Sequence, residues 1–124
     1  MSTRTPLARV EGLGAAHSGT VHFWRQRVSA VALVPLSIWF VCAGLAMVGA
    51  NREAAVAFLH QPVNAIAMAL FVIAVLHHGL LGLQVVIEDY VHAEGPKIAM
   101  LLFMRGAAWV VGAMSLFALI RIAL

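Results

Sequence analysis

The sequence predicts an all-α membrane protein with three transmembrane helices. Of its 124 residues, 63% are hydrophobic and only 10% are charged, whereas a soluble domain carries about a quarter charged residues. So few charged side chains cannot cover a surface that faces water. Three long apolar runs account for the excess, and each exceeds the roughly 20 residues with which a helix crosses a bilayer. The three predicted spans are 28–50, 62–88 and 98–120.

Helices are favoured over a barrel because the three runs lack the strict alternation of barrel strands, and only these two architectures satisfy backbone groups in lipid. Residues 1–20 show no pattern and are predicted to form a cytoplasmic N-terminal tail, which leaves 21–124 as the transmembrane domain. Pro35 lies inside the first span and is expected to kink the helix or free a backbone carbonyl. The segment 51–61 is predicted to be a short outside connection, and 92–97 a tight inside turn.

The basic residues predict the orientation of the chain. At a net charge of +3, their position beside the spans is better explained as a topology signal than as a nucleic-acid site. Six of the eight lie before the first span or at the start of the third, and these regions share one side of the membrane. The distribution predicts a cytoplasmic N-terminus and a periplasmic C-terminus. The inside set is Arg4, Arg9, Arg25, Arg27, Lys97 and Arg105; the outside set is Arg52 and Arg121.

Two adjacent histidines interrupt the second apolar run, and an ionisable group inside a membrane indicates a functional site. At 100° per residue, His78 shares a helix face with Gly82, Val85 and Asp89. The glycine one turn away predicts a flat patch against which a planar macrocycle bound by the imidazole could lie. His77 faces a different direction and has leucines in its next turn, so His78 is favoured as the ligand.

The histidine pair alone does not identify the bound group. A neutral imidazole also binds zinc and copper, and a membrane histidine can simply form a hydrogen bond to a neighbouring helix. A tetrahedral metal site would need more ligands than this interior supplies. Haem needs only one histidine from this chain and one from a partner.

The second span ends on polar groups that could meet a lipophilic substrate. Asp89 lies eleven residues after His78, which is about 16 Å along a helix. The hydroxyl of Tyr90 can donate a hydrogen bond to a carbonyl, with Asp89 orienting it; the alternative is an ordinary interfacial tyrosine beside an acid that ends the helix. Arg27 and Arg105 could each hold propionates or a quinone oxygen, or could extend into the lipid headgroups.

These residues resemble a known family. The pattern His78, Gly82, Gln84 and then Asp89-Tyr90-Val91-His92 is similar to the second helix of the small, D-type hydrophobic membrane anchor of succinate dehydrogenase, a cytochrome b556-like subunit. The segment SGTVHFWRQRVSA, followed by Pro35, resembles the start of that family's first helix. The resemblance covers most of the chain, although the third helix shows no match position by position.

The resemblance implies half of a two-subunit haem-binding helical bundle in the inner (cytoplasmic) membrane. On this basis His78 is an axial ligand of the haem b iron, and Tyr90 hydrogen-bonds ubiquinone with support from Asp89. Arg27 falls near the haem propionates or the quinone. The implied partners are a second, C-type anchor, an iron–sulfur subunit and a flavoprotein subunit. The tandem His77 is a departure from the family pattern.

Three functional hypotheses follow from these observations. The chain is a redox subunit of succinate:quinone oxidoreductase, a structural anchor of the same complex without a haem role, or a small transporter that uses the histidine pair. In the first two cases the chain alone would catalyse nothing, because it has no flavin or cluster motif and its one cysteine, Cys42, is interpreted as an apolar filler.

Overall fold

A computed structural model describes residues 16–124 of the chain, with side chains from Thr20 onward. The regular structure of this part is all helical. Its four helices are α1 (Ala16–Ala46), α2 (Arg52–His60), α3 (Pro62–Tyr90) and α4 (Glu94–Ala123).

Three of these helices are long and apolar enough to cross a membrane, namely those with apolar stretches at Thr20–Ala46, Pro62–Tyr90 and Glu94–Ala123. The predicted fold class is therefore confirmed, although the first helix is displaced toward the N-terminus. It begins before its apolar run because the aromatic and basic segment at its start continues the helix. It ends earlier than predicted because the chain turns at Gly49, whose φ of 77° favours glycine. Pro35 lies inside α1 without ending it.

The short helix α2 was not predicted, since the sequence indicated only a connection. It begins at Asn51, whose side-chain oxygen accepts a hydrogen bond of 2.9 Å from the backbone N–H of Ala54, a standard helix cap. Its far end is held by Asn64 of α3, which donates a hydrogen bond to the carbonyl of Phe58. The ring of Phe58 also stacks on Trp39 of α1 at 6.4 Å, so α2 packs across one end of the long helices.

The predicted inside turn is also shorter than expected. Helix α4 already begins at Glu94, so Gly95 and Pro96 lie in its first turn. A proline is tolerated there because the first N–H groups of a helix have no partner within the helix.

Helix α3 is the centre of the arrangement, with α1 packed on one side and α4 on the other. Within the described residues, the buried hydrophobic side chains are only Leu81, Ile87 and Leu119. Large apolar side chains such as Phe103 and Trp109 are 78% and 79% exposed. A surface this apolar is stable only against lipid or partner helices.

Candidate functional site

The interface between α1 and α3 holds the histidine that the sequence singled out. The hydroxyl oxygen of Ser29 lies 3.0 Å from Nδ1 of His78. The same hydroxyl donates a 2.9 Å hydrogen bond to the backbone carbonyl of Gln26. Ser29 is only 7% exposed and is the one buried polar residue within the described part of the chain. The imidazole of His78 is therefore tied to α1 through one ring nitrogen.

The other ring nitrogen of His78 has no protein partner among the residues from Thr20 onward. Nε2 makes no hydrogen bond to any residue whose side chain the structure describes. Within the described residues, one buried side-chain polar atom has no hydrogen-bond partner, Nε2 of His22. Nε2 of His78 is not such an atom, and the residue as a whole is half-buried.

A polar stripe on α1 faces this part of α3. His22, Gln26 and Ser29 are spaced four and three residues apart, which places them on one helix face. The Nε2 atom of Gln26 would be 3.7 Å from a Cβ added at Gly82. A Cβ at Gly82 would thus be in ordinary van der Waals contact with Gln26, so the patch predicted to be open beside His78 faces a side chain of the same protein.

His77 projects into a different interface. Its side chain is exposed and lines an apolar groove between α3 and α4, together with Leu80, Trp109 and Gly112. The helices pack closely beside this groove, because a Cβ added at Gly112 would lie 3.1 Å from Cδ1 of Leu76.

Tyr90 and Asp89 form the end of α3. Tyr90 is 79% exposed and Asp89 is also exposed. Neither side chain is hydrogen-bonded to a residue in the described range. The structure does not bring them against His78, since all three lie on one continuous helix. Their hydroxyl and carboxylate are free to contact a molecule or a partner chain at this end of the bundle.

Arg27 is exposed near the start of the first apolar run, and its guanidinium carbon lies 4.7 Å above the ring centre of Phe23. A cation over an aromatic face is weakly attracted to it. This contact holds the side chain near the N-terminal end of α1 and leaves its N–H groups available for an anionic or carbonyl oxygen.

A second polar chain connects α4 to α3. Arg105 donates a 3.2 Å hydrogen bond to the side-chain oxygen of Gln84. The amide nitrogen of Gln84 in turn donates a 2.8 Å hydrogen bond to Glu88. Arg105 is thus held by a neighbouring helix instead of extending alone toward the headgroups.

Sequence reasoning missed Ser29 as a functional candidate. Its signal was the spacing of His22, Gln26 and Ser29, which puts three polar side chains on one face of α1. No group of three or more histidine, cysteine or carboxylate side chains capable of holding a metal ion occurs among the described residues.

The comparisons with known proteins point to one family. Residues 1–120 match the family described as succinate dehydrogenase/fumarate reductase transmembrane subunit. The chain is 38% identical over 120 residues to a succinate dehydrogenase hydrophobic membrane anchor subunit of Paracoccus denitrificans, covering 97% of this chain and 92% of that protein. It is 36% identical over 88 residues to the same subunit of Rickettsia bellii (strain RML369-C), covering 71% and 70%. A membrane anchor subunit of succinate dehydrogenase from Reclinomonas americana is 31% identical over 91 residues, covering 71% and 76%. No solved structure gives a significant match.

Proposed function

The chain belongs to the family of succinate dehydrogenase/fumarate reductase transmembrane subunits, and we propose that, as a membrane anchor of succinate dehydrogenase, it supplies one axial ligand of haem b and part of the ubiquinone site. The anchor itself is a multi-pass membrane protein and is not the catalytic subunit of its complex. Electrons from succinate would reach quinone at the membrane surface where α3 ends.

The donor set of the chain fits haem. An axial ligand needs an imidazole nitrogen without a protein partner, and within the described side chains His78 is paired through Nδ1 only. The second axial ligand would come from the partner anchor. When bound, the haem would supply a one-electron carrier inside the membrane. The single observation that carries this proposal is the anchoring of His78 by Nδ1 alone.

The end of α3 supports the quinone part of the proposal. The hydroxyl of Tyr90 would donate a hydrogen bond to a quinone carbonyl, and the carboxylate of Asp89 would orient that hydroxyl or pass on a proton. Arg27 has a positive charge suited to a haem propionate or a quinone oxygen. The exposure of all three side chains in the single chain is what such contacts require.

The partners follow from the same considerations. The exposed apolar faces of the helices would pack against a second, C-type anchor and against lipid. The side of the membrane with Tyr90 would hold an iron–sulfur subunit and, through it, a flavoprotein subunit. We place the complex in the inner membrane, with the N-terminus of this chain in the cytoplasm and its C-terminus in the periplasm.

The two histidines provide the test and its matched control. His78→Ala and His77→Ala variants of the whole complex are expressed in membranes, and the reduced-minus-oxidised absorption spectrum is recorded. We expect the b-type signal to disappear in His78→Ala and to persist in His77→Ala. Succinate oxidation with an artificial acceptor reports the amount of assembled complex. An unchanged haem signal in His78→Ala would instead favour a structural anchor without a haem role.

A further inference from the structure

We infer that Ser29 is a positioning residue that fixes the tautomer of His78, with the proton on Nδ1 and the lone pair on Nε2. The proton assignment comes from the contacts of the two side chains. Its consequence for a bound metal rests on the proposed haem role of His78.

Only one proton assignment satisfies both contacts of the serine hydroxyl. The backbone carbonyl of Gln26 can only accept a hydrogen bond, so the single proton of the hydroxyl is directed to it across 2.9 Å. The hydroxyl oxygen must then be the acceptor in its 3.0 Å contact with His78. The ring nitrogen in that contact is therefore an N–H donor, and in a neutral imidazole the other nitrogen carries the lone pair.

The burial of Ser29 makes its hydroxyl the specific acceptor for the N–H of His78. Ser29 is 7% exposed, so water cannot readily replace its hydroxyl as the acceptor. An N–H group left without an acceptor in such a place loses its hydrogen bond without compensation. The imidazole would then rotate or change tautomer, and Nε2 would no longer be presented in one direction.

The hydrogen bond also changes the strength of the ligand. A metal-binding histidine that donates its second N–H to an acceptor is oriented by it and becomes more basic, and loss of the acceptor typically lowers metal affinity 10–100-fold. A more basic imidazole stabilises the oxidised, more positive iron. Removal of the hydroxyl should therefore shift the reduction potential of the haem to a more positive value.

The test uses Ser29→Ala, with Ser29→Thr as the control that keeps a hydroxyl, in the purified whole complex. The midpoint potential of the haem, the g-values of its oxidised form in electron paramagnetic resonance, and the rate of haem loss are measured. We expect Ser29→Ala to shift the potential positively, alter the g-values and weaken haem retention by on the order of 10–100-fold, whereas Ser29→Thr stays near wild type. If Ser29→Ala does not assemble, Ser29→Cys provides the second variant, since its thiol is a weak acceptor of similar size, and should shift the potential in the same direction.

The outcomes separate this inference from the proposed function. A wild-type potential and spectrum in Ser29→Ala, in a complex that loses its haem in His78→Ala, would overturn the positioning role of Ser29 alone. Equal shifts in Ser29→Ala and Ser29→Thr would also overturn it, because they would indicate a packing effect of the side chain. Haem retained in His78→Ala would overturn the proposed function itself, together with this inference.

Discussion

His77 and His78 are adjacent in the chain, yet their imidazoles lie in different helix interfaces. His78 contacts Ser29 of α1 through Nδ1, while His77 lines the apolar groove beside α4. One residue of separation turns a helix by about 100°, and that rotation is enough to give one ring a buried polar partner and the other none within the described residues. His77→Leu should therefore leave the b-type spectrum of the complex unchanged, which absorption spectroscopy of membranes would check. Loss of haem in that variant at normal complex levels would reassign the ligand.

Gly112 should tolerate only a small increase in size. A Cβ at this position would lie 3.1 Å from Cδ1 of Leu76, which can shift slightly, but a larger side chain must push α3 and α4 apart. We expect Gly112→Leu to destabilise the packing by about 1–3 kcal/mol. Gly106→Leu on the same helix is the control, because a Cβ there meets nothing within 4 Å in the described chain. Thermal inactivation of the purified complex measures both, and equal stability of the two variants would contradict close packing at Gly112.

Tyr90→Phe should impair quinone reduction without harming assembly. The phenol oxygen is removed while the exposed ring is kept, so only the proposed hydrogen bond to the quinone carbonyl is lost. A hydrogen bond of this kind contributes about 0.5–1.5 kcal/mol, which corresponds to a several-fold loss in kcat/KM for quinone. Succinate oxidation with an artificial acceptor should stay at the wild-type level. A parallel loss of both activities would point to misassembly and would remove the support for a quinone contact.

Arg105 and Gln84 should behave as one unit. Glu88, Gln84 and Arg105 form a single chain of hydrogen bonds, so removal of either end of the contact between α3 and α4 breaks the same link. We expect Arg105→Ala to lower stability by roughly 1 kcal/mol and Gln84→Ala, which also removes the hydrogen bond to Glu88, by at least as much; the double variant should match Gln84→Ala alone instead of the sum. The stability of the three variants is measured by unfolding the complex at increasing concentrations of a denaturing detergent. Additive losses would show that the two side chains do not act through each other.

The orientation of the chain can be tested at its C-terminus. The six basic residues on one side and two on the other predict that Leu124 faces the periplasm. A C-terminal alkaline phosphatase fusion should then be active and a C-terminal green fluorescent protein fusion should be dark. The reverse pair of results would place the proposed quinone site on the opposite side of the membrane.

The long helices could be predicted from the sequence, because apolar runs above bilayer length leave few other structures in lipid. The predicted positions of the helix ends were less accurate. Hydropathy marks where lipid begins, whereas backbone hydrogen bonding continues through Trp24 and Arg25 into the interface. Helix α2 was missed because it depends on the cap at Asn51 and on stacking between Phe58 and Trp39. The second of these contacts is tertiary.

Only part of the candidate site could be predicted from the sequence. His78 could be singled out because an imidazole in an apolar run is costly. The spacing of Ser29 from Gln26 and His22 was a weak signal, since a hydroxyl in a membrane helix commonly bonds its own backbone. Only the packing of α1 on α3 brings it to 3.0 Å from the imidazole of His78. Asp89 and Tyr90 could be named because the second apolar run ends on them, and the structure shows both exposed at the end of α3. The quinone proposed to contact them is not part of the chain.

An experimental structure of the intact, oxidised complex would show directly whether His78 binds haem. We predict a haem iron bonded to Nε2 of His78, with Nδ1 of the same ring still within hydrogen-bond distance of Ser29. A map without a porphyrin beside that nitrogen, or with the iron on His77, would contradict this prediction.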